Sequence, residues 1–255
     1  MFVIAERDEV RQRLLALAEA DERVVAAAIT GSHAAGAGDE WSDVDLAFGI
    51  RGDLLAALEH WTALLYGDFA ALHHWDLPAG STVYRVFLLP GWLEVDIAFT
   101  PAAEFGPLGP SWHTVFGQTV ELAPPAPPRR DDLAGLAWHH VLHARACIER
   151  GKPWQAEYWI SGVREQVLAL ACLRLGHTTR YAKGADLLPP ELTAPLEGTL
   201  VRSLDEAELR RGLAAAAAAL ITELERTDSA LAARLRPLLD ATARLPRRRA
   251  QALGR

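Results

Sequence analysis

Between Gly31 and Ile50 the sequence reads GSHAAGAGDEWSDVDLAFGI. An apolar run ends in Gly31-Ser32, a glycine-rich loop follows, and the next strand-like stretch opens on Asp43-Val44-Asp45. Alternation from Asp43 to Ile50 puts both aspartates on one face, roughly 7 Å apart between Cα atoms. Like charges held that close repel unless a cation lies between them. Mg2+ is the natural partner, because it takes a few carboxylates together with phosphate oxygens. A third acid belongs to the set. In WLEVDIAF, Trp92 to Phe99, the apolar Leu93, Val95, Ile97 and Phe99 face one side, and Glu94 and Asp96 face the other. A two-residue turn at Pro90-Gly91 would pair Leu89 with Trp92 and set Arg85 opposite Asp96, which adds Arg85 to the ligand-binding candidates. Three acids, a strand scaffold and a loop whose amides at Gly31 and Ser32 can cradle phosphate suit two-metal phosphoryl chemistry. His33, inside that loop, reads as a surface histidine.

The set Gly31-Ser32, then Asp43-Val44-Asp45 after ten intervening residues, then Asp96 on a later strand, resembles the signature of the polymerase-beta-like nucleotidyltransferase superfamily. With its helical second half, the chain is most similar to the antibiotic nucleotidyltransferases that act on aminoglycosides and lincosamides. The motif covers about the first 100 residues. The resemblance implies transfer of a nucleoside monophosphate, usually AMP from MgATP, to a hydroxyl of a small molecule, with release of pyrophosphate. It implies that Asp43 and Asp45 bind two Mg2+ ions, and that Asp96 binds the catalytic one and can take the acceptor's proton. Some relatives use a separate glutamate as base; here Glu94 or Glu157 would serve, and the sequence leaves that choice open. A basic residue of the helical half on the triphosphate is also implied, with Arg180 and Lys183 of RYAKG as candidates. Modification of a protein or RNA, as by toxin–antitoxin nucleotidyltransferases, is the alternative enzyme class. A non-catalytic nucleotide-binding regulator is a third reading, against which all three carboxylates argue.

These residues need strands before, and helices after, a clear boundary. Residues 123–130, APPAPPRR, hold four prolines and read as an extended linker. Residues 1–122 then form a catalytic α+β domain with a mixed sheet and flanking helices, and residues 131–255 a helical bundle. In the first domain Glu6 to Ala20 and Asp53 to Tyr66 have helical spacing. Strands are expected at Arg23 to Thr30, Asp43 to Ile50, Phe69 to Trp75, Ser81 to Leu89 and Trp92 to Phe99. The second domain has four long periodic segments: Asp131 to Arg150, Trp154 to Leu175, Asp205 to Arg226 and Asp228 to Arg244. Asp131, Asp205 and Asp228 are candidate N-caps. On the second of these segments Glu157, Ser161, Arg164 and Glu165 form a polar stripe suited to a substrate cleft. His139 and His143 have zinc-pair spacing without a third ligand, and read as bundle packing or a surface cluster.

Composition narrows the remaining classes. The chain has 255 residues, 50% apolar and 23% charged, an ordinary globular mixture that excludes disordered and collagen-like proteins. No apolar run approaches the ~20 residues of a membrane helix. The start, MFVIAERDEV, lacks the basic and apolar regions of a signal, so a soluble cytoplasmic protein is expected. Two cysteines, Cys147 and Cys172, supply neither a disulfide framework nor a CxxC site. Residues 1–128 hold 6 Arg and 18 Asp+Glu, a balance of −12; the remainder hold 20 Lys+Arg and 15 acids, a balance of +5. The acidic half suits metal ions or a cationic acceptor. The only basic cluster, Arg247 to Arg249, is too small for a nucleic-acid track, so the expected partners are a nucleoside triphosphate and a small hydroxyl acceptor. Monomer and homodimer are equally open.

Overall fold

Alternating and β-branched runs in the first half become strands, as their period dictates. In the computed structural model, which describes residues 2–244, these are β1 (Val24–Thr30), β2 (Val44–Ile50), β3 (His73–Ala79), β4 (Thr82–Leu89), β5 (Leu93–Pro101) and β6 (Trp112–Phe116). They form one sheet in the order β3-β4-β5-β2-β1-β6. β2 and β5 run parallel and every other pair is antiparallel. Helices α1 (Ile4–Ala20) and α3 (Leu54–Asp68) flank the sheet, and α2 (Gly31–Ala34) is a single turn after β1. One sheet face carries Leu46, Phe48, Phe87, Ile97 and Phe99, all buried with Leu14 of α1 and Trp61 of α3. The Trp61 ring lies 4.7 Å from that of Phe48 between centroids. Asp53 caps α3 by accepting from the amides of Leu55 and Ala56, a contribution of about 1 kcal/mol.

The opposite sheet face differs in kind. It presents the small side chains of Ala26, Ala28, Ala47 and Ala98, against which Phe105 packs. Asp45 and Asp96 share this face, two residues before Ala47 and Ala98 respectively.

Several sequence expectations change here. Phe69 does not begin a strand; it is a buried plug after α3. The chain reverses at Ala70, with φ 55°, and strand pairing begins where His73 meets Leu88. The short edge strand β6 has too few residues to announce itself by period. The β4–β5 turn is one residue longer than a Pro-Gly pair: Pro90–Trp92 form a 3-10 turn, and Leu89 pairs with Leu93. Val86, not Arg85, therefore stands opposite Asp96, because a one-residue slip moves every side chain to the other face.

The chain divides between Pro125 and Ala126 into two compact units with separate cores. The second unit is helical: α4 (Arg130–Glu149), α5 (Pro153–Leu175), α6 (Pro190–Glu197), α7 (Glu206–Thr227) and α8 (Ser229–Asp240). Its core joins Ala137, Val141 and Ala144 to Ile160, Val163, Leu213, Ala216 and Leu220. Three proline positions hide α6 from a periodicity reading. Of the three expected caps, only Asp228 works as one, accepting from the Leu231 amide. Asp205 holds the cap position but accepts from Ser203 Oγ instead. α4 begins one residue early, which leaves Asp131 in its first turn paired with Arg130. Arg247 to Arg249 lie outside the described residues. The architecture is α+β, a mixed sheet with flanking helices followed by a helical region, as the sequence predicts. Among the described residues no helix is long and apolar enough to cross a membrane.

Candidate active site

The ends of β1, β2 and β5 bring the acids together. Asp45 and Asp96 are register partners in the parallel β2–β5 pair, so their backbones lie one strand spacing apart, about 4.8 Å. Gly31, the residue after β1, has φ +66°, and a Cβ added there would fall 1.9 Å from Asp45 Oδ2. Glycine alone meets both requirements: the left-handed backbone and the carboxylate packed on its Cα. Burial pushes the Asp96 carboxyl up to about 7, with the charges of Glu94 and Asp43 adding to the effect. Its Oδ1 is buried with no hydrogen-bond partner. Glu94, on the same face and exposed, is raised by desolvation and then by Asp43. Asp43 thus acts on both acids of β5.

An orphaned carboxylate oxygen amid like charges is the environment that a divalent cation relieves. Asp43, Asp45 and Asp96 offer the hard oxygen donors that Mg2+ prefers. Among the described residues, no three His, Cys, Asp or Glu side chains form a ready-made metal cage.

The loop between Gly31 and Asp43 is held from two sides. Ser32 Oγ donates to Ser42 Oγ at 3.1 Å, and Ser42 Oγ donates to Asp39 Oδ1 at 2.9 Å. The Asp39 amide closes the network on Ser42 Oγ at 2.9 Å. Hydrogen bonds from Ser42 and Trp41 hold the Asp39 carboxyl below the usual range. From beneath, the buried Arg7 of α1 donates through Nη1 to the carbonyls of Asp39 and Ser42. Ser42 immediately precedes Asp43, so this clamp fixes the entry to β2 and ties it to Ser32. Arg7 and Ser42 carried no sequence signal beyond an arginine on an amphipathic helix and a serine before a DxD. His33 is half-buried: its Nε2 is buried without a partner and its ring packs where a Gly38 Cβ would stand. Burial, then the charges of Arg7 and Arg11, lower its pKa.

The register slip turns Arg85 toward α3, away from the carboxylates. Its Nε and Nη2 grip Asp76 Oδ1 and Oδ2 at 2.6 and 2.7 Å, and its Nη1 donates to the Leu58 carbonyl at 3.0 Å. Arg85 ties the sheet to a helix on the face opposite the carboxylates. Glu157, Arg180 and Lys183 belong to the second unit. There Glu157 accepts from Ser161 Oγ at 2.6 Å, and Ser161 Oγ accepts from Arg164 Nη2 at 2.9 Å. Arg180–Ala182 form a 3-10 turn, with Tyr181 at φ 53° and its side chain exposed, leading into Lys183. The rings of His139 and His143 lie 4.3 Å apart, and His140 and His143 pack on Trp159 at 5.0 and 4.9 Å, an aromatic cluster. Back on the small-residue face of the sheet, beyond Ala47 and Ala98, lies a cavity of ≈ 420 Å³ lined in part by Thr30, Tyr84, Thr100 and Trp112.

No family model matches the chain, and no curated protein matches it. Among solved structures it is similar to the crystal structure of an aminoglycoside 6-adenyltransferase from Bacillus subtilis. The identity is 12%, 90% of this chain and 95% of that one are covered, and the TM-score is 0.39.

Proposed function

We propose that the protein is a nucleotidyltransferase that moves AMP from MgATP to a hydroxyl of a small molecule and releases pyrophosphate. The observation that carries this reading is the register pairing of Asp45 with Asp96 beside Gly31, with Asp96 Oδ1 left unsatisfied. In this reading Asp43 and Asp45 hold two Mg2+ ions and Asp96 holds one of them. Bound Mg2+ would neutralise the charge that develops on the transferring and leaving oxygens. The amides of Gly31 and Ser32 bind the β- and γ-phosphates, with the Ser32 hydroxyl held in place by Ser42. The acceptor oxygen forms its bond to the α-phosphorus as the bond to the β-phosphate bridging oxygen breaks, and pyrophosphate leaves with that electron pair. The acceptor's proton passes to a carboxylate. Asp96, paired with Asp45 across the β2–β5 register, is the first candidate for that role; Glu94 is the second, and Glu157 would supply it from the helical unit. Arg180 or Lys183 would neutralise the triphosphate. The acceptor is a small molecule with a free hydroxyl; the acceptors of the family that the motif resembles are aminoglycosides and lincosamides.

The test is a thermal-shift titration with ATP, GTP, CTP and UTP, with and without Mg2+. A nucleotide at 100 times its Kd should stabilise by about 2.7 kcal/mol. The expected result is a Mg2+-dependent shift with ATP that is absent in Asp43→Ala and Asp45→Ala, both still folded and both without pyrophosphate release. No shift with any nucleotide, or full turnover in either variant, would overturn the reading.

A further inference from the structure

One row of the sheet runs through the paired acids and out to an edge. Trp75 of β3 stands opposite Val86 of β4, Val86 opposite Asp96 of β5, and Asp96 beside Asp45 of β2. Neighbouring rows on the same face set Leu88 opposite Glu94 and Leu77 opposite Tyr84. Trp75 is 54% exposed, Leu77 45% and Leu88 39%. A solvent-facing sheet surface ordinarily alternates to polar side chains. Here the outer strands present an exposed and largely apolar shelf, with His73 at its rim opposite Leu88, that ends at a carboxylate pair, the combination that marks a ligand surface.

Reaction geometry says which ligand rests there, given the nucleotidyl transfer proposed above, on which this inference depends. With phosphates at Gly31–Ser32, pyrophosphate leaves on the β1 side of Asp45. In-line displacement requires the attacking oxygen to enter from the opposite side. That side lies over β5 and extends onto β4 and β3. We infer that the shelf formed by Trp75, Val86 and Leu88 seats the acceptor, and that the acceptor is an alcohol with one apolar or aromatic face, its hydroxyl directed at Asp96. A tryptophan and a leucine offer stacking and dispersion to such a face. A polycation would leave this surface uncovered; Glu94, beside Leu88, accommodates a single positive group at the shelf's edge.

The full chain labelled with 5-fluorotryptophan gives one resonance per tryptophan, and its loss in Trp75→Phe assigns the one for Trp75. With Mg2+ and a non-hydrolysable ATP analogue present, 2-phenylethanol and a polycationic aminoglycoside are titrated in parallel. The aromatic alcohol should move the Trp75 resonance saturably, and Leu88→Ala should weaken that response about tenfold, the loss of a good apolar contact. The aminoglycoside should leave the resonance in place. A Trp75 resonance silent to the alcohol, equally responsive to the aminoglycoside, or unaffected by Leu88→Ala overturns the inference. If the wild type also fails to show a Mg2+-dependent nucleotide shift, the proposed function falls with it; if that shift is present, only the acceptor assignment falls.

Discussion

Asp96 makes the site's electrostatics measurable through stability. Its carboxyl titrates near 7 in the folded chain against 3.8 as an ordinary aspartate, so between those values the folded state binds more protons than the unfolded state. Its contribution therefore favours the fold most below pH 4, declines as pH rises from about 4 to 7, and is flat above. Replacing Asp96 with Asn removes the charge without changing shape. In calorimetry, Asp96→Asn should raise the metal-free Tm by about 5 °C at pH 8 and leave it unchanged at pH 4. Equal shifts at both values would mean that burial of charge is not the cause. A cation competes with that proton, which makes metal binding tighter as pH climbs through 7.

At the scale of elements, the β4–β5 turn decides which side chains meet. Pro90-Gly91 announces a turn but not its length, and Trp92 joins it at φ 70°. The extra residue sends Arg85 into the layer between sheet and α3, where it bridges Asp76, Leu58 and Thr62. Arg85→Met should accordingly lower stability by about 2 kcal/mol, discounted for the half-exposed Asp76, and show as a lower urea midpoint. Its Mg2+-dependent nucleotide shift should stay that of the wild type; a lost shift would return Arg85 to the ligand site. The clamp of Arg7 on Ser42 is an element-scale contact too. It joins residues 35 apart in sequence, and no local pattern records such a partnership.

Across the whole molecule, the two cores share no residue, and the acidic and basic halves of the sequence follow nearly the same division. Separate cores unfold separately unless coupled. Calorimetry should resolve two transitions, with MgATP raising that of the sheet unit, which carries the proposed Mg2+ ligands. A single transition with equal calorimetric and van't Hoff enthalpies would show the units to be one cooperative body.

Some of this was written into local sequence. The period of two along β2 and β5 placed Asp45 and Asp96 each on the face away from the apolar core, and the Gly-Ser pair after an alanine-valine run marked the end of β1. Helical spacing revealed the long helices, and the proline run marked the division. Those signals survive because neighbours within a few residues generate them. The tertiary structure alone decided that Asp45 and Asp96 are register partners, that Arg85 faces away from them, that His33 is half-buried, and that Trp75 and Val86 continue the row of the paired acids. Each of these depends on strand register or on contacts between distant segments. Their energies appear only when the sheet has assembled, and a single added turn residue is enough to reverse them.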